Sequence, residues 1–275
     1  MLDSGIDETH MEFHGKSISF MEFDSSGFPV NESACDSGNH GTHVAGIVSG
    51  NTCGVAPGAD LAVAAVLTDQ NGTSGTLAQI LAGLNWLIHA NHGGGTISRC
   101  PVINASLGAM GYDPFFYPIT QVQAILNTSL LIAAIGNSGL EGFNHHASPG
   151  NYDTVLGVGA TDQNGIVCDF SDWGYEKTNG VYKPDMSAPG RNIVSAEANS
   201  VNRFVSMSGT SMAAPMVSGA AALLIESNPA LATDTQLLRQ ELLLKVERSL
   251  NRESGNVDQN NPNYSRIGEG KLDLK

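Results

Sequence analysis

The chain has 275 residues, 41% of them hydrophobic, enough to bury a sizeable core, and α/β enzymes of this length are often one domain. Thirteen basic residues against 27 acidic ones leave a formal charge of −14, which argues against nucleic acid or an anionic membrane as partner. No apolar run reaches the ~18 residues of a membrane span, and no signal peptide is legible, so compartment and oligomeric state stay open.

Leu2-Asp3 is an apolar strand stub ending on a carboxylate. From 6 to 39 a long polar connection follows, with a short strand at 17–22. Asn39 is a suitable cap for a helix over 40–49. Residues 61–67 are an unbroken apolar run, as expected for a parallel strand covered on both faces. Leu77, Ile80, Leu81, Leu84, Leu87 and Ile88 form a helical stripe over 76–91, ended by Gly93-Gly94-Gly95. Then come a strand at 101–104, a helix at 118–127 and a strand at 130–134. Further strands are expected at 155–158, 183–186 and 193–196. A helix runs from Ser211 to about 227, an amphipathic helix spans 236–248, and 251–265 reads as a polar loop. Strand–helix alternation predicts α/β architecture, a parallel sheet with helices on both faces, in one domain over 1–275. The 32 glycines point to many tight turns. Four widely spaced cysteines (Cys35, Cys53, Cys100, Cys168) allow up to two disulfides or four free thiols.

Three segments carry chemistry. Leu2-Asp3-Ser4-Gly5-Ile6-Asp7 supplies a carboxylate, and His40-Gly41-Thr42-His43-Val44-Ala45-Gly46 an imidazole at a helix start. Ser208-Gly209-Thr210-Ser211-Met212-Ala213-Ala214-Pro215 is a Gly turn that delivers Ser211 to the start of a helix of small residues. The unpaired first-turn N–H groups there can face a developing oxyanion. Pro215 is expected in or near that first turn, where a missing N–H costs little. Alone, the octet also reads as a capped, buried Ala-rich helix; the Asp and His segments favour chemistry. Sites of parallel sheets form beyond the carboxyl ends of the strands, where Asp3, His40 and Ser211 can meet.

The wording and Asp-His-Ser order of these segments resemble the subtilisin-like serine proteases, the subtilases. The likeness runs from Asp3 to about Leu224, with an echo at Gly268-Glu269-Gly270-Lys271-Leu272-Asp273. It implies a three-layer α/β fold with a mainly parallel central sheet and a serine endopeptidase that takes polypeptide in extended form. Ser211 would be the nucleophile, His40 the general base and then acid, and Asp3 the group that orients the imidazole. Ala133-Ala134-Ile135-Gly136-Asn137-Ser138-Gly139 looks like the family's strand and turn bearing the oxyanion asparagine, here Asn137; in this family its loss costs ~10²–10³ in turnover. Ala105-Ser106-Leu107-Gly108 matches the segment that pairs with substrate as an added strand. Ser106, Leu107, Gly108, Ala133, Ala134 and Gly136 are thus implied substrate contacts, with 141–148 as pocket floor. Glu141, His145 and His146 in that floor leave the side-chain preference open.

His43 shares a helix face with His40, and with Asp3 a metal site is conceivable. That reading leaves the Ser211 segment unexplained, and the family's second His is structural. Many subtilases build a Ca²⁺ site from an insertion after the His helix and an acidic residue after the Asp strand. Here Gly50-Asn51-Thr52-Cys53-Gly54 runs directly into Val55-Ala56-Pro57, so that loop is missing and Glu12 stands without it; no metal or cofactor is expected. Met216 replaces the family's usual His as a packing change. Only Met1 and Leu2 precede Asp3, so the chain is expected to lack residues of its first strand. An inactive, peptide-binding relative is the alternative, and the complete Asp3, His40, Ser211 and Asn137 set speaks against it. An α/β-hydrolase esterase would need G-x-S-x-G and the order Ser, Asp, His. A nucleotide-binding sheet would need G-x-G-x-x-G after the first strand. Both requirements fail.

Overall fold

The computed structural model describes residues 1–68, 74–89, 100–178, 180–247, 257–258 and 261–273. The chain falls into two units, 1–103 with 194–206, and 104–193 with 207–275.

In the first unit, β1 (Leu2–Asp3), β2 (Ile18–Phe23), β3 (Pro29–Asn31) and β4 (Leu61–Ala65) lie in the order β1-β4-β2-β3. β4 runs parallel to both neighbours, with Leu2 opposite Ala64 and Phe20 opposite Val63, and β3 returns antiparallel. β4 is buried along its whole length, as its unbroken apolar run requires. Helix α1 (His40–Ser49) buries nine of its residues, Gly41 to Ser49. Helix α2 (Leu77–His89) packs on β1, β2 and β4, and its Leu84 and Leu87 are buried. Its expected end at Asn91 and Gly93–Gly95 lies outside the described residues. Ile193–Ala196 pairs with Phe204–Met207, a strand the sequence reading missed.

In the second unit, β5 (Val102–Ala105), whose first two residues close the first unit, is followed by α3 (Tyr117–Leu126), β6 (Leu130–Ala134), β7 (Leu156–Thr161), β8 (Met186–Pro189), α4 (Thr210–Ser227), α5 (Thr235–Leu244), β9 (Val246–Glu247) and β10 (Lys271–Leu272). The strand order is β5-β6-β7-β8-β10-β9. β6, β7, β8 and β10 are parallel, and β9 is antiparallel to β10. Helix α4 lies on β6, β7 and β8. Ala213, Ala214, Ala220 and Ala221 have no exposed surface, because small side chains let the helix backbone sit close to the sheet.

Three expectations need correction. The strand expected at 183–186 is two: Val181–Lys183 pairs antiparallel with Gly174–Glu176, and β8 begins at Met186. Pro184 between them has no N–H for a ladder. The helix expected over 236–248 stops at Leu244, where the Lys245 N–H turns back to Leu242, and the chain enters β9; Arg248 lies outside the described residues. Within 251–265, Val257–Asp258 and Asn261–Ser265 pair antiparallel.

Candidate active site

Asp3 and His40 belong to the first unit. Asp3 ends β1 with no exposed surface. Gly5 has φ +133°, and a Cβ there would stand 1.9 Å from the Cys35 carbonyl oxygen; a Cβ on Gly41 would stand 2.2 Å from the Gly5 oxygen. Only glycine permits this backbone-to-backbone approach. It brings the start of α1 against the turn after Asp3, and His40 Nδ1 lies 2.7 Å from Asp3 Oδ1. The Ser4 N–H donates to the same oxygen at 2.8 Å, while Oδ2 makes no hydrogen bond. Burial opposes protonation of the His40 ring, but the Asp3 carboxylate, its hydrogen bond and the charge of Asp36 outweigh it and raise the ring above the usual imidazole value.

Asp36 was not anticipated. The expected cap residue, Asn39, makes no cap bond with its side chain; its Oδ1 accepts from the Ala198 N–H at 2.6 Å instead. Asp36 takes over, accepting the Thr42 N–H at 2.8 Å and the Thr42 hydroxyl at 2.6 Å. It also accepts the Ser4 hydroxyl at 2.7 Å, and Ser4 Oγ accepts the Gly41 N–H at 2.9 Å. An acid four residues before a helix start is the signal that could have found it.

His43 is fully buried and its Nε2 lies 3.1 Å from the Val205 carbonyl oxygen, a structural tie. Among the described residues no group of three or more His, Cys, Asp or Glu side chains is arranged to hold a metal. Glu12 does not fit a cation either. Its carboxylate accepts the Thr52 N–H at 2.8 Å, the Cys53 N–H at 3.1 Å, the Thr52 hydroxyl and the Cys53 thiol. Four chain donors converge where a cation would need acceptors. All four cysteines are free thiols.

Ser211 and Asn137 belong to the second unit. Ser211 is the second residue of α4, half-buried, with its N–H in the turn that has no intrahelical acceptor. Asn137 is exposed at the end of the β6 turn. Its Oδ1 accepts the Thr210 N–H at 2.9 Å and lies 3.0 Å from Thr210 Oγ1. Thr210 Oγ1 in turn accepts the Gly136 N–H at 3.2 Å. Thr210, also not anticipated, thereby decides which end of the amide points outward: the carbonyl is occupied and Nδ2 is left to donate. Pro215 is the sixth residue of α4, beyond the first turn, which corrects the sequence reading. Ser106 reaches α4 there, its hydroxyl donating to the Ser211 carbonyl at 2.8 Å.

The other expected contacts differ in access. Leu107 is half-buried, Gly108 exposed and Gly136 half-buried. Ser106 and Ala134 are buried, and Ala133 has no exposed surface. In the 141–148 segment, His145 faces Glu141 at 3.2 Å and the buried His146 faces Glu176 at 3.8 Å. Burial holds His146 below the usual imidazole value against the pull of Glu176.

Comparison with known proteins bears on family and fold. The model of the Subtilase family matches residues 1–264. The chain is 38% identical over 204 residues to a thermostable alkaline protease of Halalkalibacterium halodurans, covering 70% of this chain and 49% of that protein. It is 36% identical over 225 residues to subtilisin-like protease 1 of Arthroderma otae, covering 82% of this chain and 42% of that one. The chain thus spans less than half the length of these relatives. Among solved structures, Sphericase superposes with a TM-score of 0.81 at 28% identity, over 100% of this chain and 90% of that one. The α/β fold with a mainly parallel central sheet is the subtilisin-like one, and the chain belongs to the Subtilase family.

Proposed function

We propose that this chain is a serine endopeptidase, acting as a single peptidase domain over 1–275, that hydrolyses peptide bonds through Asp3, His40 and Ser211. The observation that carries the reading is the 2.7 Å contact of His40 Nδ1 with Asp3 Oδ1. With Nδ1–H donated to the carboxylate, Nε2 is the basic nitrogen. Ser211 Oγ attacks the scissile carbonyl carbon while Nε2 takes its proton. The oxyanion accepts from the Ser211 N–H and Asn137 Nδ2. Collapse breaks the C–N bond, and His40 returns the proton to the leaving amine. Water, deprotonated by His40, then releases the acyl group. Because Asp3 and Asp36 raise His40, the base is neutral only above the usual imidazole range, and activity rises with pH through that region.

The substrate is an extended polypeptide paired with the main chain of Ser106, Leu107 and Gly108, its side chain between Gly108 and Gly136. Ala133 and Ala134 support that wall from inside β6. Nucleic acid, membrane and cofactors have no part in this reading. Labelling with a fluorophosphonate tests it. The parent should be modified on Ser211 and should cleave casein, and Ser211→Ala should lose both with its fold retained. An alanine variant that still cleaves at the parent rate would falsify the assignment, and a parent that binds peptide without labelling would be the non-cleaving relative.

A further inference from the structure

Pro215 poses a problem for the residue four positions before it. In an α-helix the N–H of residue i donates to the carbonyl of residue i−4. Proline has no N–H, so helix α4 leaves the carbonyl of Ser211 without its intrahelical donor. A buried carbonyl left unmatched is costly. Ser106 supplies the missing bond from another segment, its Oγ lying 2.8 Å from the Ser211 oxygen.

That hydroxyl is itself held. Ser106 Oγ accepts from Asn104 Nδ2 at 3.0 Å, and Asn104 Oδ1 accepts from Ser218 Oγ at 3.0 Å, two turns further along α4. Asn104, Ser106 and Ser218 are all buried. A second contact runs the other way: the Ser211 hydroxyl points to the Ser106 carbonyl oxygen at 3.3 Å. Ser106 therefore holds Ser211 by its main chain and meets its side chain.

We propose that the Ser106 hydroxyl is a positioning group for the nucleophile, replacing the helix bond that Pro215 deletes and so fixing the Ser211 backbone, its N–H and its Oγ. This rests on the peptidase reading for its catalytic consequence. A misplacement of reacting groups by about 1 Å can cost ~10²-fold. A substrate contact through the main chain of 106–108 would be little affected by loss of the hydroxyl, whereas nucleophile alignment would be.

The test is a cycle of Ser106→Ala and Pro215→Ala. Ser106→Ala should lower kcat and the fluorophosphonate labelling rate together by roughly ten- to hundredfold, with KM within about threefold. Pro215→Ala restores an N–H that can donate to the Ser211 carbonyl, so in that background Ser106→Ala should cost less than about threefold. A loss equal in both backgrounds, a loss confined to KM, or no loss at all overturns the proposal. Should Ser106→Ala alone not fold, the double variant decides. Folding and working like Pro215→Ala supports the proposal; failing as the single variant fails overturns it. Melting temperatures carry the same coupling without activity, so a parent that does not cleave defeats the peptidase reading and still leaves this one readable.

Discussion

Asp172 is fully buried. Its Oδ2 fills the space beside Gly136, where a Cβ would come within 2.0 Å of it. Burial pushes this carboxyl up to about 7, the Ser138 N–H and Arg266 pulling it down and Glu141 adding to the rise. In the unfolded chain an aspartate titrates near 3.9. Between about pH 4 and 7 the folded protein thus holds a proton the unfolded chain has released, and stability falls as pH rises through that window. Asp172→Asn removes the ionisation and keeps the shape. Its melting temperature should exceed the parent's at pH 8, with the gap closing by pH 4. A gain of equal size at both values would show that ionisation is not the cause.

At the scale of elements, the segment after α1 is tied to the 3₁₀ turn Met11–Phe13 by Glu12. Burial opposes ionisation of Glu12, but hydrogen bonds from Thr52 and Cys53 win and hold it below the usual carboxylate range. A depressed carboxylate stabilises at neutral pH, and that contribution is lost as pH falls through its folded value. Glu12→Gln turns an amide toward the N–H donors of Thr52 and Cys53. Charged hydrogen bonds of this kind are worth ~1.5–3 kcal/mol, and in a chain of this size ~1 kcal/mol moves Tm by ~2–4 °C. The variant should melt roughly 3–12 °C lower, while EDTA leaves the parent's Tm in place. An unshifted variant, or a chelator effect reversed by Ca²⁺, would refute the account of this strap. Cys53 in the same cluster, pushed up to about 11 mainly by burial, is not a reactive thiol.

For the whole molecule, the proposed peptidase function draws on residues of each unit: Asp3 and His40 belong to one, Asn137 and Ser211 to the other. The division falls inside the four-residue strand β5, between Ile103 and Asn104. A boundary within a strand is unlike a linker, which is exposed and crossed by few contacts. Calorimetry should therefore give one unfolding transition, with calorimetric and van't Hoff enthalpies equal. Two resolved transitions would mean that the units are independent domains.

What the sequence determined alone is local. A carboxylate at a strand end, an imidazole at a helix start and a serine after a Gly turn are each written within a few consecutive residues. The unbroken apolar runs of β4 and β6 announce buried strands for the same reason. What tertiary structure decided concerns lone pairs and donors from distant segments. Asn39 looks like the cap of α1, yet its amide holds Ala198 and Asp36 does the capping. The oxyanion role proposed for Asn137 comes from resemblance, but the outward aim of Nδ2 depends on Thr210, 73 residues away. Pro215 shows the division most clearly: counting back four residues finds the orphaned carbonyl of Ser211, but only the folded chain brings Ser106, 105 residues upstream of it, to donate the bond. Chain order specifies which groups lack partners within an element; packing alone specifies who supplies them.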